Sequence, residues 1–61
     1  MIEVTTKIGR VYINPFWIES VIEPIRNNNG MTRILIHADD DYYDVVESVE
    51  EVIKKIEDDR G

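Results

Sequence analysis

His37 is the single histidine in a 61-residue chain without cysteine, so proton-transfer or nucleophilic chemistry would have to be built around it or around carboxylates. A histidine works as a general base when a hydroxyl or thiol lies within hydrogen-bond reach and a third group orients the ring. Nothing next to His37 in sequence supplies this, and a triad would have to be assembled from distant groups. The plainer reading is a histidine on the polar face of a strand, offering at most a pH-sensitive contact. Asp39, Asp40 and Asp41 bring hard oxygen donors together, but a calcium loop needs donors at alternate positions, a glycine at the sharp turn and a distal glutamate. Tyr42 and Tyr43 stand where that loop would continue, and the acidic run reads as a solvated hairpin turn. Glu19 and Glu23 on a regular strand would sit roughly 13 Å apart, beyond the reach of a two-carboxylate hydrolase site. Gly9, Gly30 and Gly61 are scattered and open no helix, so no phosphate loop is expected. The chain reads as a non-enzyme with no catalytic residue, metal or cofactor.

The aromatic residues offer other chemistry. Phe16 and Trp17 are neighbours in a turn where only one ring easily enters a core, and Tyr42 and Tyr43 are neighbours in a strand, where successive side chains leave opposite faces. Each ring either fills the core or anchors a partner, since Trp and Tyr bring large apolar area with a polar handle. The acidic hairpin places Asp39, Asp40, Asp41 and Asp44 around the two tyrosines. Trp17, Asp39, Asp40, Asp41, Tyr42 and Asp44 are the expected protein-binding surface.

These residues need elements to hold them. Alternation over about 2–7, 18–25, 31–38 and 42–46, with a shorter run at about 11–13, reads as strands. Gly9 closes a first hairpin, and Asn14 caps one helical turn opened by Pro15. Ile18, Ser20 and Ile22 are expected on one face of their strand with Glu19, Val21 and Glu23 on the other. Asn27, Asn28, Asn29 and Gly30 form the strongest turn signal. Ser48 and Glu51 make a capping box for a helix over about 49–59, whose stripe Val49, Val52, Ile53 and Ile56 needs cover. Asp58 and Asp59 oppose the helix dipole, so the last turn is expected to fray. The result is a single α+β domain over 1–61, a small antiparallel meander of about five strands with one C-terminal helix packed on it.

The net charge of −6 is unevenly spread. Residues 1–38 carry four basic and three acidic groups, whereas ten carboxylates face Lys54, Lys55 and Arg60 thereafter. Such a field repels phosphate backbones and favours a partner with a basic surface. No stretch has the roughly 18 apolar residues of a membrane span, and the N-terminal segment reads as a strand with no signal peptide, so a cytoplasmic protein is expected. A chain this short buries only about 60% of its unfolded surface, which favours association, most simply a homodimer.

Met1-Ile2-Glu3-Val4-Thr5, then Tyr12-Ile13-Asn14-Pro15 with Ile18-Glu19, and Val46-Glu47-Ser48-Val49-Glu50-Glu51-Val52-Ile53 follow in an order that resembles the small flagellar FlbD family, which includes swarming-motility proteins. The resemblance implies a fold and no catalytic residues. The chain departs from it in the polar connection Asn27 to Met31 and in the acidic, aromatic hairpin Asp39 to Tyr43. In size and strand content it also looks like the miniproteins that bacteriophages encode to bind and disable a host protein. The leading expectation is an inhibitor of that type, acting on a host defence or regulatory protein. A FlbD-like motility factor is the alternative.

Overall fold

Alternation in the first strand sends Ile2 and Val4 inward, where both are buried, and leaves Glu3 and Thr5 on the other face. In the computed structural model, which describes residues 1–37 and 41–60, this strand, β1 (Ile2–Thr6), pairs antiparallel with β2 (Gly9–Ile13). Gly9 has φ 136°, a conformation an L side chain resists, which lets β2 begin straight after a two-residue loop. Thr6 fixes that loop: its hydroxyl donates to the Gly9 carbonyl at 2.8 Å and accepts the Ile8 N–H at 3.3 Å.

The expected helical turn is present as a 3₁₀ turn at Pro15–Trp17, with the Asn14 side chain accepting the Phe16 N–H at 3.0 Å. Neither aromatic ring enters the core, which leaves the anchor reading for both. Pro15 is the buried member of the turn, leaving Phe16 86% and Trp17 52% exposed. A second sheet follows, β3 (Ile18–Ile22), β4 (Thr32–Ile36) and β5 (Asp41–Val45), antiparallel and in that order.

β3 departs from simple alternation. Ile18 pairs with Ile36 but Ser20 pairs with Leu35, so Glu19 is an extra residue, a β-bulge. The extra residue lets Ile18 and Val21 both pack against the core, although period two would place them on opposite faces. The strand ends at Ile22, short of the expected 25, because Pro24 cannot donate to a ladder. Asn28 then organises the connection. Buried, it accepts the Ile25 N–H at 2.7 Å and donates to the Glu23 carbonyl at 3.2 Å, while Asn29 (φ 59°) and Gly30 (φ 69°) turn the chain back.

The helix α1 (Val49–Arg60) starts on one arm of the expected box: Ser48 Oγ accepts the Glu51 N–H at 3.2 Å, while the Glu51 carboxylate takes the Ser48 hydroxyl at 3.4 Å in place of its N–H. Val52 is buried and Ile56 packs on the core, whereas Ile53 is exposed. The last turn does not fray within the described residues. The helix runs to Arg60, and Asp59 pairs with the Met1 ammonium at 3.0 Å.

Five antiparallel strands and a C-terminal helix thus make a small α+β fold, with the strands divided between two sheets. The division falls at the 3₁₀ turn, where Pro15 and the capped turn separate β2 from β3. The seam is instead formed by β1 and the end of β5: the Val46 N–H donates to the Thr5 carbonyl at 2.9 Å. Glu47 reinforces it by accepting the Thr5 N–H at 2.8 Å and the Thr5 hydroxyl at 2.9 Å. Ile2, Val4, Ile13, Ile34, Val45 and Val52 fill the space between sheets and helix.

Candidate functional site

Where β2 runs into the 3₁₀ turn, a groove of about 520 Å³ opens, lined by Met1, Tyr12, Ile13, Asn14, Trp17, Ile36 and Tyr43. The periodicity of the strands builds it. Ile13 turns inward, so Tyr12 turns outward and is 62% exposed. Tyr43 lies on the inner face of β5 opposite Ile34 and packs against the edge of the core. Asn14 aims the turn, and Pro15 anchors it while Trp17 stays accessible. Asp41 stands opposite Ile36 and two residues before Tyr43, so its side chain belongs to the same face. It is exposed beside the groove residue Ile36 without lining the groove itself, and its carboxylate accepts the Tyr42 N–H at 2.8 Å.

Trp17 therefore shares its groove with Tyr12 and Tyr43, while Tyr42 takes no part in lining it. Tyr42 leaves the outer face of β5, where its ring lies 4.1 Å beneath the Arg33 guanidinium. Asp44, on the same outer face and opposite Arg33, is gripped by that residue: Arg33 Nε donates to Oδ1 at 2.8 Å and a terminal nitrogen to Oδ2 at 3.1 Å. The hydrogen bond from Arg33 is the main cause that holds the Asp44 carboxyl below the usual carboxylate range; desolvation opposes it, and the charges of Arg33 and Lys7 add to it. The same hydrogen bond raises Arg33 above its ordinary value. Asp44 is thus already neutralised by an internal cation. Asp39 and Asp40 lie outside the described residues.

His37 and Glu19 meet at 3.7 Å, both largely exposed, at the bulged end of β3. The distance worked for Glu19 and Glu23 from a regular strand does not apply, because Glu19 is the bulge residue and Glu23 lies beyond the strand. Among the described residues no three His, Asp or Glu side chains converge on a point where a metal ion would sit. No helix among them is long and apolar enough to cross a membrane.

The groove can offer three flat rings, two phenol hydroxyls and an indole N–H within one concavity, a combination suited to apolar anchoring with a few oriented hydrogen bonds. Tyr12 escaped the sequence reading, although its outward setting follows from the inward setting of Val11 and Ile13, and Tyr43, read there as core filler or anchor, was left out of the expected surface. Compared with protein-family models, curated proteins and solved structures, the chain matches none.

Proposed function

We propose that the chain is a non-enzymatic protein-binding module that presents the Tyr12–Trp17–Tyr43 groove to a partner with a basic surface. The observation that carries this reading is the outward display of Tyr12 and Trp17 beside Tyr43 in one concavity. Rings of this kind supply binding energy, and a rim carboxylate such as Asp41 on a chain of net charge −6 steers a basic partner. The module acts by occupying its partner, as a phage-encoded inhibitor covers a host defence or regulatory protein, and it works in the cytoplasm as a homodimer.

The test is affinity capture from a bacterial lysate with mass spectrometry, followed by titration of the captured partner. Trp17→Ala should weaken binding by about 2 kcal/mol, roughly 30-fold, with the circular dichroism of the fold retained, and binding should weaken as salt rises. Tyr42→Ala, on the opposite face, should bind as wild type. Retention by the Trp17 variant together with loss by the Tyr42 variant would refute the groove. A captured flagellar motor or stator component would replace the inhibitor role with that of a FlbD-like motility factor.

A further inference from the structure

Backbone direction singles out one edge of the molecule. Thr5 sends its N–H to Glu47 and its carbonyl to the Val46 N–H, both away from β2. Thr5 and its partner Arg10 therefore form a non-hydrogen-bonded pair, and the alternation of an antiparallel ladder makes Glu3 and Tyr12 another. It follows that Gly9, Val11 and Ile13 bond to β1, whereas the N–H and carbonyl groups of Arg10 and Tyr12 point off the far side of β2. Among the described residues nothing hydrogen-bonds to that side. The other outer edge, β3, is interrupted by the Glu19 bulge and runs into Pro24, two devices that discourage pairing.

We infer that the β2 edge is the homodimer interface, in which β2 of one copy pairs antiparallel with β2 of a second copy about a two-fold axis through Val11. This rests on the homodimer reading above and assigns its surface. The register is selected by charge and by donors. Centred on Val11, Arg10 of each copy stands opposite Tyr12 of the other and the two exchange both backbone hydrogen bonds. Each guanidinium then lies within cation–aromatic range of a tyrosine ring while keeping Glu3 of its own chain, 3.6 Å away, as counter-ion. Centring on Arg10 would set guanidinium against guanidinium. Centring on Tyr12 would set Arg10 opposite Asn14, whose carbonyl already accepts the Trp17 N–H at 2.9 Å within the 3₁₀ turn. β2 itself carries no carboxylate, so a chain with a large negative charge meets its copy along a stretch where acid does not face acid. The product is a continuous four-stranded sheet with the hairpins related by two-fold symmetry.

Amide hydrogen exchange on the native chain, read beside sedimentation over a concentration series, tests this. The Arg10 and Tyr12 amides should be protected where the dimer is populated and lose protection on dilution to monomer. The Val11 and Ile13 amides should stay protected throughout. Arg10→Pro removes an outward N–H and, with it, the guanidinium that faces Tyr12 of the other copy, while leaving the bonds of Gly9, Val11 and Ile13 to β1 in place; it should halve the sedimenting mass at a concentration where wild type is dimeric, with the fold's circular dichroism kept. A monomer at every concentration overturns the homodimer reading together with this interface. A dimer whose Arg10 and Tyr12 amides exchange freely, or one that a folded Arg10→Pro variant still forms, overturns the β2 edge alone. The exchange measurement on the unaltered chain decides the matter even if the proline variant does not fold.

Discussion

Replacing Glu47 by alanine cuts the seam between the two sheets without touching the core. Glu47 accepts two hydrogen bonds from Thr5, at 2.8 and 2.9 Å, and hydrogen bonds to a charged group contribute roughly 1.5–3 kcal/mol each in protected surroundings. Glu47 is only half-buried, so solvent reduces each to about 1 kcal/mol, and the loss is about 2 kcal/mol. In a domain of this size that lowers Tm by roughly 10 °C. Burial disfavours the charged carboxyl, but the Thr5 N–H, the residue's own backbone, the Thr5 hydroxyl and the charge of Lys55 outweigh it and hold the carboxyl below its usual value. A depressed folded value means that the charge-dependent stabilisation is complete above the ordinary glutamate range of about 4.3 and is lost as pH falls through the folded value. Urea unfolding followed by far-ultraviolet circular dichroism at pH 7 and at pH 3 measures both effects. The gap between wild type and Glu47→Ala should be widest at pH 7 and narrow at pH 3. An equal gap at the two pH values, or one under about 0.5 kcal/mol at pH 7, would refute an ionised latch.

Two further expectations concern buried polar atoms. Thr32 is 1% exposed, and its hydroxyl has no hydrogen-bond partner among the described residues, so Thr32→Val, which keeps the shape, should raise stability by about 1 kcal/mol in thermal unfolding; a fall of that size would mean the hydroxyl is satisfied. Asn28→Ala strands the Ile25 N–H and the Glu23 carbonyl, and should cost about 2 kcal/mol by urea unfolding, whereas an unchanged midpoint would show that water replaces the amide.

The parts legible in the sequence are those set by neighbours along the chain. Gly9 after a two-residue loop, Asn14 before Pro15 and Ser48 before Glu51 each act over three residues or so, and each is found in its expected role. The facing of β4 was legible for the same reason, since Thr32, Ile34 and Ile36 alternate without interruption. What stayed hidden depends on partners distant in sequence. The bulge at Glu19 exists because β3 must match a neighbour, β4, and period two alone gives no sign of an inserted residue. The way the two sheets are joined follows from Thr5 meeting Val46 and Glu47. The groove joins Tyr12 and Trp17 to Tyr43 across sheets, so reading Tyr42 as the companion of Trp17 followed proximity along the chain to the acidic hairpin and missed which face each ring leaves. Asp44 shows the same effect: its charge counts in the composition, yet Arg33 has already claimed it.

The seam at Thr5 and Glu47 also bears on the order in which the molecule assembles. These residues are 42 positions apart, whereas β1 and β2 close over a two-residue loop. Ring closure loses chain entropy in proportion to the logarithm of its length, and a tie across most of the chain is far more demanding than a hairpin unless the intervening segment has already shortened the path. The β3–β4–β5 sheet does that shortening by folding back on itself. Chain entropy thus favours local hairpins before the seam, with the carboxylate of Glu47 closing an architecture whose halves are already formed.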